Sequence, residues 1–256
     1  MFAVQKPPPN YIISKYQLIA FCAAVTFADG IESQNVVGYQ TVETKTGFTY
    51  LTPTFEKVNG GVATLGDFIP AGDDVGWGEE IIQVFNDTGA LIGYYNYYCA
   101  DYGMEGGAGW YDEEGNLCND TPLAEGGKGV GISICFESSS GVPIQFAGAV
   151  TKGKKIITDV IAGFTWVGNA TPNDLTIQDF IPVGDDVGWG EEIIQVFDES
   201  NGLSGYYNYY CADYGMEGGA GWYDEEGNRV NLPVPAGHGF MFESSGNAQI
   251  ELPSVL

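Results

Sequence analysis

The sequence predicts an all-β chain built from two tandem β-sandwich-like domains. Two observations favour strands. The apolar and aromatic runs are short and bounded by Gly, Asp, Asn or Pro, and no window of 11–18 residues has apolar residues at helical spacing together with helix-capping residues. The third observation is an internal repeat of about 112 residues. Several short strands per repeat, separated by regular turns, are typical of a β-sandwich or β-roll.

The repeat is nearly identical between residues 67–116 and 179–228. Seven of these 50 positions differ, and six of the seven lie within 86–92. We therefore expect a surface loop at 86–92, where substitutions are tolerated best. Weaker similarity extends on both sides. The predicted units are a leader or N-terminal arm at 1–30, a first β domain at 31–150 and a second at 151–256.

The first thirty residues have the features of a secretory leader. The apolar run LIAFCAAVTFA at 18–28 follows Lys6 and Lys15 and is too short to span a bilayer. Small residues, Thr26 and Ala28, precede a plausible cleavage point. We expect secretion to the exterior or cell surface, without membrane insertion once the leader is removed. A disordered arm or a buried N-terminal strand is the alternative.

The remaining segments read as strands in order along each copy. EEIIQVF, LIGYYNYYCA, GVGISICFES and VPIQFAGAV are short, rich in aromatic and β-branched residues, and end at turn residues. WYDEEGN at 110–116 resembles a tight hairpin in which glycine supplies the positive φ. Both copies therefore have the same predicted element order.

The chain is strongly acidic, with a formal charge of −25 from 34 acidic and 9 basic residues. Nucleic acid and anionic membrane surfaces are disfavoured partners, because binding them needs clustered Lys and Arg. Cations, neutral glycans or a basic protein fit the charge better. Solubility alone is the alternative explanation.

The segment GDDVGWGEE occurs in both copies and concentrates carboxylates between glycines. Hard cations take six to eight oxygen ligands on backbone that can curl around them, so calcium is a possible ligand here. The alternative is a solvated acidic loop before a strand. The candidate metal ligands are Asp73, Asp74, Glu79, Glu80, Asp185, Asp186, Glu191 and Glu192.

The YYNYY runs at 94–98 and 206–210 place aromatic rings on both faces of a strand. One set can be core, and the other would then form an exposed ladder for stacking on sugars or on a neighbouring subunit. Both sets could instead be covered. The candidate binding residues are Trp77, Tyr95, Tyr97, Trp110, Trp189, Tyr207, Tyr209 and Trp222.

Four cysteines follow the leader, and an even number permits disulfides in a secreted chain. Cys118 and Cys135 occur in the first copy alone and are predicted to bridge each other. Cys99 and Cys211 occupy equivalent positions, where each could be a small buried side chain. A bond between them would require the two domains to lie face to face.

Residue patterns for catalysis are sparse. The single histidine, His238, stands where the first copy has Ile132, so a His-dependent site would exist in one copy alone. Adjacent carboxylate pairs could hydrolyse a glycoside but are also common as plain surface charge. We therefore expect no enzymatic activity and no certain cofactor.

The runs GFTWVGNATPNDLTIQDFIP, EEIIQVFD, GWYDEEG and AGHGFMFES resemble uncharacterised secreted tandem β-domain repeat proteins of aquatic and gut bacteria. The resemblance covers most of 35–256 and implies secretion and tandem β architecture, but no activity. The first copy departs from the pattern at PTFEKVNGGVATLGDF and in the loop that carries Cys118.

Two functions are consistent with these observations. The first is a non-enzymatic secreted structural or assembly protein, a subunit of a fibre, surface layer or matrix that contacts itself or other extracellular proteins. The second is a calcium-assisted glycan-binding or adhesion module. The near-identical copies favour the first, because they present the same surface twice.

Overall fold

The computed structural model describes residues 37–55, 57, 61, 63–85, 90–123, 133–150, 156–198 and 200–254. These residues form an all-β structure, whose small antiparallel sheets are arranged like a four-bladed propeller. The prediction of an all-β chain is confirmed. The finer prediction of two β-sandwich domains is not confirmed. The leader, and most of the loop at 86–92, lie outside the described residues.

The described residues of the first copy form eight strands in two sheets. A five-stranded sheet has the order β2-β7-β4-β5-β6, and a three-stranded sheet has the order β1-β8-β3. The strands are β1 (Val37–Val42), β2 (Gly47–Leu51), β3 (Ile69–Pro70), β4 (Trp77–Phe85), β5 (Leu91–Tyr98), β6 (Gly109–Tyr111), β7 (Ile134–Ser138) and β8 (Ile144–Ala149).

The second copy repeats this arrangement and adds a small two-stranded sheet, β11-β16. Its five-stranded sheet has the order β10-β17-β13-β14-β15, and its three-stranded sheet has the order β12-β18-β9. The strands are β9 (Ile156–Val160), β10 (Gly163–Gly168), β11 (Leu175–Thr176), β12 (Ile181–Val183), β13 (Trp189–Phe197), β14 (Leu203–Tyr210), β15 (Gly221–Tyr223), β16 (Pro233–Val234), β17 (Gly239–Ser244) and β18 (Ala248–Leu252).

Each copy has its own apolar core, to which both of its larger sheets contribute. In the first copy, Phe146 of the three-stranded sheet meets Phe68 edge to face at 5.2 Å between ring centroids. Ile82 and Phe136 of the five-stranded sheet are fully buried in the same core. Strand β8 alternates buried and exposed residues, as expected for a strand with one face on a core.

The two copies are joined through one end of each five-stranded sheet. Leu51 at the end of β2 forms an antiparallel bridge with His238, and the backbone N–H of Ser133 donates to the carbonyl of Trp166 at 3.0 Å. The rings of Tyr50 and Trp166 stack with centroids 4.4 Å apart and planes 11° apart. The copies therefore share backbone hydrogen bonds as well as an aromatic contact.

Candidate binding surface

The repeated acidic segment folds into a tight loop that is closed by a buried glutamate. The backbone N–H of Gly76 donates to the Glu80 carboxylate at 3.0 Å, and Gly188 donates to Glu192 at 2.8 Å. Both glutamates are 2% exposed, and burial raises the pKa of each carboxyl. Each buried carboxylate therefore holds the loop in its conformation through a hydrogen bond to the loop backbone.

The loop glycines are required by the backbone. Gly188 has φ 92°, and a Cβ there would lie 2.5 Å from the Cβ of Cys211. Gly76 has the same environment beside Cys99. Positive φ and the close approach of the neighbouring strand together exclude a larger residue.

The structure does not gather the predicted metal ligands into one site. Asp73 and Asp74 are exposed, Glu80 faces the loop backbone, and Glu79 accepts a hydrogen bond from the hydroxyl of Ser139 at 2.6 Å. The second copy repeats this separation of Asp185, Asp186, Glu191 and Glu192. Within the described part of the chain, no group of three or more acidic, His or Cys side chains is placed to hold a metal ion.

Beside each loop lies an exposed aromatic cluster, which we define as Trp77, Tyr98 and Tyr102 in the first copy and as Trp189, Tyr210 and Tyr214 in the second. The rings of Trp77 and Tyr102 are 6.1 Å apart and tilted by 63°. Trp77 is 53% exposed and Tyr102 is 47% exposed. Tyr98 packs beneath Tyr102 with centroids 4.4 Å apart.

The second cluster has the same geometry within small margins. Trp189 and Tyr214 are 6.2 Å apart with planes tilted by 62°, and Tyr210 lies 4.3 Å from Tyr214. Trp189 is 54% exposed and Tyr214 is again 47% exposed. The chain therefore presents the same aromatic surface twice.

Local backbone features position the first cluster. Trp77 opens β4 opposite Tyr98, the last residue of β5, and the register shifts between Trp77 and Ile81. Asn96 fills this irregularity by donating from its side chain to the carbonyl of Gly78 at 2.8 Å. A β-bulge bends a strand and re-aims its side chains, which accounts for an exposed Trp77 above the buried Ile82.

Six of the eight predicted binding residues pack against the cores, and Tyr95, Tyr97 and Tyr207 among them remain partly exposed. Trp110 and Trp222 are fully buried, and each indole N–H donates at 2.9 Å to the carbonyl of Phe68 or Phe180. Tyr95, Tyr97, Tyr207 and Tyr209 pack on the same cores. Tyr98 and Tyr210 lie on the opposite face of the tyrosine strands, where they are partly buried and pack against the exposed Tyr102 and Tyr214.

Four cluster residues were not among the predicted binding residues: Tyr98, Tyr102, Tyr210 and Tyr214. Tyr98 and Tyr210 belong to the alternate face of the YYNYY runs, which the period of two had left open. Tyr102 lies in a 3₁₀ turn at Ala100–Tyr102, which ends at Gly103 in the left-handed region. The ADYG sequence with a following glycine was the available signal for that turn.

The predicted bond between Cys118 and Cys135 is absent, and both thiols are free. Cys135 lies in β7, while Cys118 follows β6, and β4 and β5 separate these two strands in the sheet. Burial raises the pKa of Cys135 to about 12, and its thiol contacts Tyr50. Cys118 donates to the carbonyl of Asn116 at 3.3 Å. Cys99 and Cys211 are also free.

His238 lies at the joint between the copies. Its backbone bridges to Leu51, and burial lowers the pKa of its imidazole. Its carbonyl accepts from the N–H of Asn169 at 2.8 Å. These contacts give His238 a structural environment at the joint.

No family model matches the chain, and searches of curated proteins and of solved structures also find no match. Within the described ranges, the helical segments are single 3₁₀ turns, and none has the length and apolar character of a membrane span.

Proposed function

We propose that the protein is a non-enzymatic structural or assembly protein of the cell exterior, which holds another extracellular component through its two aromatic clusters. The observation that supports this function is the duplicated cluster, with matching ring distances and exposures in the two copies. Half-exposed Trp and Tyr rings are typical of contact surfaces, because they bury large areas at low entropic cost.

We also propose that residues 31–150 and 151–256 are two sandwich-like units. Their separate cores support this division, since each core draws on its own three-stranded and five-stranded sheets. The shared joint would then fix the two clusters relative to each other. Two equal surfaces held rigidly relative to each other are expected in a protein that links other components. An enzyme would need a single catalytic centre.

A binding assay on washed cells of the organism that makes the protein tests this function. Labelled full-length chain is added, and the bound fraction is measured for the wild type, for Trp77→Ala/Trp189→Ala and for Tyr39→Ala. Tyr39 is exposed on β1, outside both clusters, and serves as the matched control. We expect retention of the wild type and the control, and at least about tenfold loss for the double variant. Equal retention of all three would contradict the proposal.

Binding of a neutral glycan is the second candidate, and it is favoured by the exposed indoles of Trp77 and Trp189. The described carboxylates are not grouped to hold a metal ion, so the support for glycan binding comes from the aromatic rings. Titration with neutral oligosaccharides, followed by tryptophan fluorescence, tests it. The response should disappear in the double tryptophan variant.

A further inference from the structure

We propose that each aromatic cluster binds the cationic side chains of a basic protein segment, with arginine or lysine held against the rings of Trp77 and Tyr102 or of Trp189 and Tyr214. This inference rests on the proposed function and names the chemistry of the partner.

The repeated segments that carry the clusters are acidic, which favours a cationic partner. In the second copy, Arg229 directly follows the segment and donates to the carbonyl of Ala220. Residues 67–116 contain eleven acidic residues and residues 179–228 contain twelve, and neither segment contains a Lys, Arg or His. These two segments also carry both clusters. Complementary potential increases the rate and specificity of association, whereas like charge opposes it. An anionic glycan, a nucleic acid or the same surface of a second copy is therefore disfavoured.

The ring geometry suits a compact cation better than a flat sugar. Trp77 and Tyr102 are tilted by 63° and do not form a coplanar platform, and the second copy has the same tilt within a degree. A Lys or Arg within about 6 Å of a ring centroid is attracted by the ring quadrupole, most strongly by Trp. Arginine can also stack its planar guanidinium on either face.

The cluster is already built before any partner arrives. Tyr98 supports Tyr102 from below and meets Tyr111 edge to face at 5.7 Å, while the hydroxyl of Tyr111 donates to the carbonyl of Gly107 at 2.7 Å. The loop before Trp77 is held by the buried Glu80. Binding therefore orders few side chains on this protein, which reduces its entropic cost.

The extent of the acidic surface favours a polypeptide over a small ammonium ion. A small cation would contact the rings of one cluster, whereas the carboxylates extend along both repeated segments. Two equal clusters on one chain also permit bivalent binding to a partner with repeated cations, which raises the apparent affinity without any new contact.

A titration with a fluorescent peptide tests the inference. The probe alternates arginine with serine, and a matched peptide alternates glutamate with serine. The full-length chain is titrated into each at about 0.15 M NaCl, and fluorescence anisotropy is measured. We expect binding of the arginine peptide alone, weakened at least about tenfold by Trp77→Ala/Trp189→Ala, with each single variant intermediate. Trp77→Phe/Trp189→Phe should retain part of the affinity.

Two controls separate the ring contact from charge alone. Tyr39→Ala keeps both clusters, and Glu113→Gln/Glu225→Gln removes one exposed charge per copy without altering a ring. Raising the salt to about 0.5 M should weaken binding but leave the difference between wild type and the double tryptophan variant. Circular dichroism and thermal melts confirm that each variant is folded.

Three results would overturn the inference. The first is equal affinity of the wild type and the folded double tryptophan variant for the arginine peptide, which shows a purely ionic contact. The second is the absence of peptide binding. The third is tryptophan-dependent binding of neutral oligosaccharides alone, which assigns the clusters to glycans. If the cell-binding assay still depends on the clusters, the inference fails while the proposed function stands; if it does not, both fail.

Discussion

At the scale of single residues, Glu80 and Glu192 are the most consequential charged groups. Each is a buried carboxylate whose main partner is a loop N–H, at 3.0 Å from Gly76 or 2.8 Å from Gly188. A buried carboxylate is costly unless its hydrogen bonds compensate. The loops thus gain a fixed shape at some expense in stability.

Replacing Glu192 tests this hydrogen bond. Glu192→Ala leaves the N–H of Gly188 without its acceptor and should lower the free energy of unfolding by about 2 kcal/mol. Glu192→Gln keeps an acceptor oxygen and removes the charge, so it should stay within about 1 kcal/mol of the wild type. Urea unfolding measures both. Equal losses for the two variants would show that the charge itself is required.

The same glutamates predict a pH dependence. Because burial raises the pKa of Glu80 and Glu192 in the folded chain, folding favours their protonated forms, and their contribution improves as the pH falls toward the unfolded value of 4.5. The melting temperature should rise between about pH 7 and about pH 5. Glu80→Gln/Glu192→Gln should show a smaller rise.

Two aspartates oppose this gain in stability at lower pH. Hydrogen bonds from Asn116 and Asn228 lower the pKa of Asp112 and Asp224, so their contribution is lost as the pH falls below the ordinary value of 3.8. An identical pH profile for the wild type and the double glutamine variant would contradict a role for the two glutamates. Relief of the overall negative charge is common to both proteins and cancels in the comparison.

At the scale of elements, the cluster is produced by a loop, a bulged strand and a 3₁₀ turn that are fixed against each other. Gly188 and Gly215 both have positive φ, at 92° and 86°, but their surroundings differ. A Cβ on Gly188 would meet Cys211, whereas a Cβ on Gly215 would meet nothing within 4 Å. This pair of glycines separates backbone strain from steric conflict.

We expect Gly188→Ala to destabilise the protein more than Gly215→Ala does. Gly215→Ala should cost about 1 kcal/mol from the left-handed backbone alone. Gly188→Ala adds a collision with Cys211 and should cost about 2–4 kcal/mol in all. Chemical unfolding gives both values. Similar losses would mean that the loop can move away from Cys211.

At the scale of the whole molecule, the joint decides whether the two copies behave as one body. Tyr50 and Trp166 stack on each other, and each also packs against Phe197 at 5.8 Å. The hydroxyl of Tyr50 donates to Asn201 across the joint. The N–H of Thr52 also donates to the carbonyl of Gly237 across the joint, and within the first copy the side chain of Thr52 is hydrogen-bonded to Ser133.

Trp166→Ala should weaken this coupling between the copies. Removing a large packed aromatic ring costs about 3–5 kcal/mol when the site is well packed, and here the loss falls on both copies. We expect one calorimetric transition for the wild type and two for the variant. Tyr39→Ala provides a control. A single unshifted transition in Trp166→Ala would show that the stack contributes little.

The sequence predicted the features that depend on neighbouring residues. It did not predict the features that depend on contacts between distant segments. Strand type, turns and the repeat follow from residue order, and glycines within GDDVGWGEE indicated a sharp bend. Both faces of the YYNYY strands carry aromatic rings, so the sequence alone does not show which rings pack against the core. That depends on contacts with residues far away in the sequence. Trp77 and Trp110 each adjoin glycine, and nothing nearby in sequence distinguishes the buried indole from the exposed one. The bridge between Leu51 and His238 similarly joins residues that are far apart in the sequence.

The joint also bears on how such a chain can misfold. Two copies that match at 43 of 50 positions could exchange equivalent strands within one chain or between two chains. Two residues of the joint differ from their counterparts in the sequence of the other copy: Trp166 corresponds to Tyr50, and His238 corresponds to Ile132. We expect a variant with Trp166→Tyr and His238→Ile to form more exchanged dimer on refolding at high concentration, as measured by light scattering. Divergence at the joint would then be a safeguard that lets the rest of the repeat stay the same.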